Sequence, residues 1–286
     1  MAELLRGKPV ADAICEKVRT EAEQLKDKGI IPTMGIIRVG EDEADLSYER
    51  GAMKRCESVG IAVKKFVLPK DVSKEDFYAV IKEANEDPSI HGILMFRPVP
   101  KYLDNVMARE SIAYEKDIDG CTDASLTGVF TNTPKGFAPC TAQAVIEIFD
   151  YYGIELKGKK VTIVGRSLVV GKPLAMLLLN RHATVTICHT RTEDIAAATR
   201  NADIVVCAAG RPEIFGKEYF SEGQAVADVG ISWSEEKGKI TGDVLFEEAE
   251  PIVAKITPVP GGVGSVTTSV LVANLVTAAK RQNGMN

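Results

Sequence analysis

The residues from 161 to 179 constrain the fold more than any other stretch of the chain. Val161 to Val164 are rich in β-branched side chains, which favour a buried strand. Gly165 ends that strand, and Gly171 opens an apolar run long enough for a helix, with Pro173 suited to the first helical turn. A strand, a glycine-bearing turn and a helix together present backbone N–H groups to a phosphate. The stretch therefore predicts a dinucleotide-binding domain.

The glycine spacing in this turn differs from the usual G-x-G-x-x-G. Gly165 is followed directly by Arg166 and Ser167, and Gly171 comes after three further residues. A cation and a hydroxyl group thus accompany the glycines, and we take these four residues as candidates for binding a cofactor. An ordinary strand–helix connection without a ligand remains the alternative for this stretch by itself.

Composition narrows the class of protein. A chain of 286 residues suits two domains, and 45% hydrophobic with 26% charged residues is ordinary for a globular protein. The net charge of −5 does not indicate the excess of positive charge that is typical of nucleic-acid-binding proteins. No apolar segment approaches the uninterrupted length of a membrane span, and residues 1–6 do not resemble a signal peptide. We therefore expect neither a nucleic-acid nor a membrane partner.

The cysteines give an expectation about the compartment. There are six of them without a C-x-x-C pair, which favours free thiols in a reducing environment. Cys188 and His189 are adjacent metal-ligating side chains, but no second cluster of ligands has suitable spacing. We expect a cytoplasmic protein without a bound metal.

Strands and helices alternate along the chain. In the first half, apolar periodicity predicts helices at 8–28, 42–58 and 73–86 and strands at 34–39, 61–67 and 90–96. In the second half, the predicted strands lie at 161–164, 184–189, 202–207 and 224–230. Alternation of this kind indicates mostly parallel sheets covered by helices on both faces.

We therefore predict an α/β fold with two domains. Residues 1–140 form an N-terminal α/β domain, and residues 141–265 form a Rossmann-like dinucleotide-binding domain. A C-terminal helix at 266–286 begins after the last strand of the second domain and packs back on the first.

Six short motifs occur together and in order along the chain. They are Val39-Gly-Glu-Asp-x-Ala-Asp-x-x-Tyr48, His91-Gly-Ile-Leu94 with Pro98-Val-Pro100, Lys116-Asp-Ile-Asp-Gly120, Pro139-Cys-Thr141, Val164-Gly-Arg-Ser167 and Pro260-Gly-Gly-Val-Gly264. Over essentially the whole chain, this pattern resembles the methylenetetrahydrofolate dehydrogenase/methenyltetrahydrofolate cyclohydrolase family. The resemblance implies a folate substrate, a part in one-carbon metabolism, two domains that face each other across a cleft, and a homodimer.

The resemblance assigns roles to particular residues. Tyr48 would stack on the folate and Asp119 would hold the polar edge of its pterin ring, so we take both as catalytic and substrate-binding candidates. A flat heterocycle needs an aromatic platform, and a carboxylate accepts two N–H donors from an amino-pyrimidine edge. Pro260, Gly261 and Gly262 would let the backbone approach the substrate closely. A tyrosine packed on the core and an aspartate that only forms a turn remain the alternatives.

The chain departs from the family at two positions of one polar unit. The family places a lysine four residues after the tyrosine, where this chain has Ala52, and a glutamine just before the Pro-x-Pro segment, where it has Phe96. The Pro-Met-Thr that normally follows the glycine loop is replaced by Ser265-Val266-Thr267. Lys54 lies about 200° further round the helix than Ala52 and should not point into the same site.

The two reactions of the family make different demands. Hydride transfer from the methylene group needs proximity and orientation but no protein base. Hydrolysis of the methenyl cation needs a positioned acid/base, a role that the lysine fills in the family and that is worth about 10²–10⁴-fold. The sequence therefore predicts a dehydrogenase with weak or absent cyclohydrolase activity. Two alternatives remain: Arg50, Arg97 or a water replaces the lysine, or the protein is a non-catalytic folate or dinucleotide binder.

The cofactor prediction depends on the end of the second nucleotide strand. An NAD site usually carries an Asp or Glu there, whereas residues 189–192 here are His-Thr-Arg-Thr. Arg191 and Arg166 together suit a 2′-phosphate, so we predict NADP and take Thr190 and Arg191 as further cofactor residues. Glu193 follows closely and keeps NAD as the alternative.

Ile231 is the last cofactor candidate. It follows the fourth strand predicted in the nucleotide domain. The resemblance places it on the nicotinamide side of the cofactor, and simple core packing is the alternative.

Overall fold

The structure, a computed structural model, describes residues 1–235 and 237–285. Its backbone divides into two compact units. The three-stranded unit comprises Asp12–Cys140 and Thr268–Asn286, and the six-stranded unit comprises Met1–Ala11 and Thr141–Thr267. Asn286, the last residue of the predicted C-terminal helix, lies outside the described residues.

Strands and helices alternate in both units, which confirms the predicted α/β class. The strands are β1 (Glu3–Leu4), β2 (Thr33–Val39), β3 (Ala62–Leu68), β4 (Gly92–Met95), β5 (Lys160–Val164), β6 (Thr184–Cys188), β7 (Ile204–Cys207), β8 (Ala225–Asp228), β9 (Ser232–Ser234), β10 (Lys239–Thr241) and β11 (Lys255–Ile256). The α-helices are α1 (Gly7–Lys26), α2 (Glu43–Ser58), α3 (Lys74–Glu86), α4 (Asn105–Glu110), α5 (Asp123–Thr131), α6 (Cys140–Tyr151), α7 (Gly171–Leu179), α8 (Ile195–Arg200), α9 (Phe246–Ala249) and α10 (Thr267–Gln282).

A short parallel sheet forms the centre of the three-stranded unit. Its order is β3-β2-β4, so β2 pairs on both sides. Ile37 of β2 and Ile93 of β4 pack in one buried cluster with Phe77 and Ile81 of α3. The apolar periodicity that predicts α3 therefore marks the face of the helix that packs in this core.

Helix α2 begins where the sequence predicts. The Asp42 carboxylate accepts a hydrogen bond at 2.9 Å from the N–H group two residues later, which caps the first turn. Glu49, on the buried face of the helix, pairs with Arg38 of β2 at 2.7 Å and also with Lys65 of β3. These ion pairs fix α2 against the two strands and thereby orient the helix that carries Tyr48.

Helix α10 packs in the three-stranded unit, as the sequence predicts. Leu275 is fully buried, and a Cβ atom on Gly92 would overlap the side chains of Leu275 and Ile118. A polar contact adds to this packing, since Asn274 Nδ2 donates to the Ile118 carbonyl at 2.9 Å. The last helix of the chain is therefore part of the core around β4.

The segment Val263–Gln282 differs from the expectation that no apolar segment has the length of a membrane span. Within the described residues it is long and apolar enough to cross a membrane by length and composition, with a mean hydropathy of 1.2. From the sequence we expect no such segment. In the structure 61% of it is buried, which is the behaviour of a core helix in a folded domain.

The six-stranded unit contains a parallel sheet of order β1-β11-β8-β7-β5-β6. The four strands predicted in this half of the chain are β5 to β8. Because β6 and β7 lie on opposite sides of β5, the strand order reverses between β5 and β7. Sheets of this type bind ligands outside the carboxyl ends of the strands at such a reversal.

The first residues of the chain join the six-stranded unit. β1 pairs in parallel with β11, and the side chains of Glu3 and Lys255, 252 positions apart in the chain, form an ion pair at 2.6 Å. The sequence analysis instead assigns residues 1–11 to the N-terminal domain at 1–140. A strand of two residues has no periodicity to detect, so this pairing is decided by tertiary contacts.

Backbone contacts close the turn between β5 and α7. Gly165 has a φ of +133°, and a Cβ atom there would overlap the carbonyl group of Ala208, directly after β7. A Cβ atom on Gly171 would overlap the carbonyl oxygen of Gly165. Only glycine fits at either position without a shift of the backbone.

The buried position of Leu275 gives a prediction about stability. Leu275→Ala should lower the free energy of unfolding by about 2–5 kcal/mol, because the surrounding core cannot fill the cavity. Met107→Ala removes a side chain that is 55% exposed. That change should alter the free energy by less than about 0.5 kcal/mol. Urea unfolding followed by circular dichroism measures both, and equal effects would contradict a core role for α10.

The glycine turn gives a second prediction. Gly171→Ala should destabilise the protein, because the added methyl group meets a backbone oxygen that cannot move aside. Gly51→Ala, in α2, is the matched control, because no atom beyond its chain neighbours and the backbone of its own helix lies within 4 Å of the added carbon. It should stabilise the protein by about 0.5–1 kcal/mol, because alanine favours helices. Thermal unfolding tests the contrast, which is lost if Gly171→Ala is as stable as the parent.

Candidate active site

Two aromatic side chains meet in the three-stranded unit. Tyr48 lies in the second turn of α2, and Phe96 directly follows β4. Their ring centroids are 5.9 Å apart and their planes are at 81°, an edge-to-face arrangement. Such a pair contributes about 0.5–1.5 kcal/mol beyond its buried area. Tyr48 is still 37% exposed, so a flat ligand can reach the tyrosine while Phe96 holds it.

Ala52 lies one helical turn after Tyr48 and is 1% exposed. Positions 52 and 96 are thus both occupied by apolar side chains that pack on the protein. Arg50 and Lys54, on the same helix, have exposed side chains. A buried methyl group and a phenyl ring therefore lie at the two positions where the family pattern predicts a lysine and a glutamine.

Arg97, next in sequence to Phe96, faces Asp119. Arg97 Nη2 lies 3.7 Å from Asp119 Oδ2, and the two side chains are 25% and 30% exposed. The Nε atom of Arg97 is buried and has no hydrogen-bond partner among the described residues. Withdrawal from water raises the pKa of Asp119 to about 6, against the opposing effect of the Arg97 charge. The carboxyl group is therefore ionised at neutral pH and titrates in mildly acidic solution.

The loop that carries Asp119 is anchored by Asp117. The Asp117 carboxylate is fully buried and accepts hydrogen bonds from the N–H groups four and five residues later, at 3.0 and 2.8 Å. It also accepts one from the Ser125 hydroxyl at 2.7 Å. Asp117 is not predicted from the sequence as a functional residue, because both aspartates of the motif suit a turn. Only the hydrogen bonds seen in the structure distinguish Asp117, which anchors the loop, from Asp119, whose carboxylate remains accessible.

The turn after β5 exposes the residues that are predicted to bind a cofactor. Arg166 and Ser167 are exposed, and the Ser167 hydroxyl accepts a hydrogen bond from Val170 N at 3.1 Å. Gly165 and Gly171 are required by backbone packing, because a Cβ atom at either position would overlap the carbonyl group of Ala208 or of Gly165. The compact turn that results exposes Arg166 and Ser167 ahead of α7, an arrangement that fits a dinucleotide phosphate.

The end of β6 adds a second group of polar side chains. β5 and β6 pair with their last residues opposite each other, so Arg166 and Arg191 follow neighbouring strand ends. Thr190 and Arg191 are both exposed. The turn itself is fixed locally, because Arg191 N donates to His189 Nδ1 at 3.1 Å. The positively charged Arg166 and Arg191 therefore both lie near the carboxyl ends of these strands.

A cavity of about 230 Å³ lies past the end of β8. Ile231, which is 60% exposed, lines it together with Pro260, Gly261 and Gly262. A Cβ atom on Gly264 would overlap the Ile231 side chain, so the isoleucine and the glycine loop pack closely. The structure thus brings a predicted cofactor residue next to the loop that is predicted to contact substrate.

The predicted site residues fall into three groups. The first group, Tyr48 and Asp119, belongs to the three-stranded unit. The second group follows β5 and β6 in the six-stranded unit and consists of Gly165, Arg166, Ser167, Gly171, Thr190 and Arg191. The third group lines the cavity of the same unit and consists of Ile231, Pro260, Gly261 and Gly262. The sequence analysis misses two buried aspartates near the cavity, Asp228 and Asp243. Residues 1–235 and 237–285 contain no group of three His, Cys, Asp or Glu that could hold a metal ion.

Models of both domains of one protein family match the chain. The catalytic domain of tetrahydrofolate dehydrogenase/cyclohydrolase matches residues 5–119, and the NAD(P)-binding domain of the same family matches residues 139–283. The bifunctional protein FolD of Carboxydothermus hydrogenoformans is 51% identical, with all of both chains covered. That of Clostridioides difficile is 45% identical, with 98% of each chain covered.

Solved structures show the same similarity. The bifunctional enzyme FolD of Campylobacter jejuni has a TM-score of 0.95 at 38% identity, covering 98% of this chain and 99% of that one. The methylenetetrahydrofolate dehydrogenase-cyclohydrolase of Trypanosoma brucei, complexed with NADP cofactor and inhibitor, has a TM-score of 0.91 at 36% identity, covering 98% of each chain. With both domain models matched and relatives alike over the full length, this chain belongs to the tetrahydrofolate dehydrogenase/cyclohydrolase family.

Proposed function

We propose that this chain is a 5,10-methylenetetrahydrofolate dehydrogenase of one-carbon metabolism that transfers hydride to NADP. The observation that carries the proposal is the closely packed glycine turn at the reversal of strand order between β5 and β7. In a chain of this family, the turn supplies a dinucleotide site and the family narrows the substrate to a folate.

The residues around the turn suit NADP. Gly165 and Gly171 let a pyrophosphate approach the backbone, and Arg166 and Arg191 are placed to hold a 2′-phosphate. The Trypanosoma brucei relative is described with NADP, which supports this choice. Glu193, exposed just after the same strand end, keeps NAD as the alternative. The cofactor, when bound, supplies the hydride acceptor at C4 of its nicotinamide.

The residues of the three-stranded unit suit a folate. Tyr48 offers an aromatic face for the ring, and the Asp119 carboxylate accepts N–H groups of the pterin edge. In the six-stranded unit, the backbone of residues 260–262 allows close approach of the substrate, with Ile231 on the nicotinamide side. These roles rest on the exposure of each group and on the family pattern.

Hydride transfer asks the protein for orientation rather than for acid–base chemistry. The nitrogen beside the methylene carbon stabilises the cation that forms, so no side chain has to move a proton. Tyr48 is held by its contact with Phe96, and Asp119 is held by the loop that Asp117 anchors. Fixed groups of this kind meet the demands of the dehydrogenase reaction.

We further propose that cyclohydrolase activity is weak or absent. Ring opening needs a group that moves protons, and Ala52 and Phe96 leave none at the two family positions. Relatives named bifunctional favour the alternative in which both activities persist. Arg97 would then be the substitute, because it faces Asp119 and its Nε has no partner among the described residues.

A homodimer in the cytoplasm completes the proposal. Both features come from the sequence analysis, the first through the family resemblance and the second through the free thiols expected there. Light scattering of the purified protein at several concentrations tests the oligomeric state.

The raised pKa of Asp119 gives a prediction about pH. The ionised carboxylate accepts the pterin N–H groups, so the KM for methylenetetrahydrofolate should rise as pH falls through about 6, where Asp119 takes up a proton. Asp119→Asn should remove this dependence and raise KM by about tenfold. Kinetics one unit above and below that pKa, corrected for spontaneous breakdown of substrate, measure the effect.

The matched control for this experiment is Asp123→Asn. Asp123 is also paired with an arginine, Arg109, but its side chain is 66% exposed. Its substitution should leave the pH dependence of KM intact. A parent KM that stays constant across this range would show that Asp119 does not bind the substrate in its ionised form.

A paired assay separates the two activities. With methylenetetrahydrofolate and NADP, the protein should accumulate methenyltetrahydrofolate, and preformed methenyltetrahydrofolate should decay only at the buffer rate. The double variant Ala52→Lys, Phe96→Gln should accelerate that decay by about 10²-fold, because it restores the family's polar unit with its acid/base lysine. Absorbance of the methenyl compound measures each step.

Three outcomes would correct the proposal. Rapid decay with the parent protein would show that cyclohydrolase activity survives, and its loss in Arg97→Met would assign it to that arginine. Persistence in Arg97→Met would favour Arg50 or a bound water. Absence of hydride transfer with either NADP or NAD would favour the non-catalytic binder.

A further inference from the structure

Two buried carboxylates lie at the carboxyl edge of the six-stranded sheet. Asp228 ends β8 and is 4% exposed, and Asp243, two residues after β10, is fully buried. Neither forms an ion pair with any described residue, and both accept backbone N–H groups instead. Burial raises the pKa of both, that of Asp228 to about 7. Keeping such groups in the interior is costly, so their contacts call for an explanation.

Asp228 joins segments that are far apart in the chain. Its carboxylate accepts the N–H groups of Gly230, Asp243 and Val244, each at 3.0 Å. Its own N–H group donates to the buried Thr257 hydroxyl at 2.7 Å. Asp228 therefore connects the loop that precedes Ile231, the segment after β10, and the start of the glycine loop after β11.

Asp243 fixes the loop after β7. Its Oδ2 atom accepts the N–H groups of Ala209 at 2.6 Å and Gly210 at 3.0 Å, and its Oδ1 atom accepts that of Arg211 at 2.9 Å. Three consecutive N–H groups thus converge on one carboxylate. Hydrogen bonds to a charged acceptor are stronger than neutral ones, so this loop is held firmly.

The anchored loop touches the glycine turn. Ala208, directly before the three bonded N–H groups, places its carbonyl where a Cβ atom on Gly165 would stand. Ala208 N also donates to the Val164 carbonyl at 2.8 Å. This contact lies between β5 and β7, where the strand order reverses. The position of the turn therefore depends on Asp243 and, through it, on Asp228.

We propose that Asp243, oriented by Asp228, is a positioning residue for dinucleotide binding. It acts through the backbone of the loop after β7, which keeps the glycine turn in the shape that a pyrophosphate can approach. The inference rests on the proposed function, because it takes that turn as the dinucleotide site.

Asparagine is the informative replacement at both positions. It keeps the size of the side chain but has only one acceptor oxygen. Its NH2 group is a donor and would face a backbone N–H group that now donates to the carboxylate. The loop after β7 would lose part of its anchor while the sheet beneath it stays packed. The effect should therefore appear in dinucleotide affinity more than in folding.

Asp243→Asn and Asp228→Asn are compared with Asp203→Asn. Asp203 accepts the Lys160 N–H group at 2.7 Å, at the amino edge of the same sheet, and is the matched control. Calorimetric titration measures the affinity for NADP and, separately, for tetrahydrofolate. The first two variants should bind NADP about 10–100-fold more weakly, because one charge-assisted contact is lost. Asp243→Asn, whose carboxylate contacts lie on the loop after β7, should bind tetrahydrofolate like the parent protein. The control should bind both like the parent protein.

Thermal unfolding of the same variants separates positioning from a purely structural role. A lowered melting temperature with unchanged NADP affinity would overturn the inference. Absence of NADP binding by the parent protein would overturn the proposed function first, and this inference with it. If the variants do not fold, hydrogen exchange of the parent protein decides. The amides of residues 209–211 should be protected before NADP is added, and rapid exchange there would overturn the inference.

Discussion

The close approach of Gly165 to the carbonyl group of Ala208 is the constraint on which the six-stranded unit depends. Strands β5 and β7 are adjacent in the sheet, and any side chain at position 165 would push their ends apart. The glycine allows the contact, and the carboxylate of Asp243 holds the loop that makes it. The tight turn that this contact produces precedes the N-terminus of α7, where backbone N–H groups suit a ligand phosphate.

In the three-stranded unit, the positions of the charged side chains decide how α2 is held and which groups face a ligand. Glu49 holds α2 to the sheet through Arg38 and Lys65, so the face of the helix that carries Tyr48 is fixed. On that face the position of Ala52 is buried and apolar. Arg97, next to Phe96 in the chain, faces Asp119, and withdrawal from water raises the pKa of the Asp119 carboxyl group to about 6.

Much of the fold could be predicted from the sequence because its long elements carry their own signal. Helices α1, α2 and α3 and strands β5 to β8 begin and end close to their predicted bounds. Their apolar residues recur with the period of a helix or form short buried runs. Strands β1 and β11, of two residues each, and the hairpin of β9 and β10 were missed, because segments so short have no period. The site residues that depend on a motif, such as Gly165 and Gly171, could be predicted for the same local reason.

By itself, the sequence determined the α/β class, the glycine turn and, through six motifs spread along the chain, the family. Each motif is a local property, since it depends on a residue and its near neighbours in the chain. Only the tertiary structure decided that Asp117 anchors the loop while Asp119 remains accessible, and that Asp228 and Asp243 hold the edge of the second sheet. The physical reason is that burial and hydrogen bonding of a carboxylate depend on segments brought together by the fold, and an isolated Asp in the sequence carries no record of its partners.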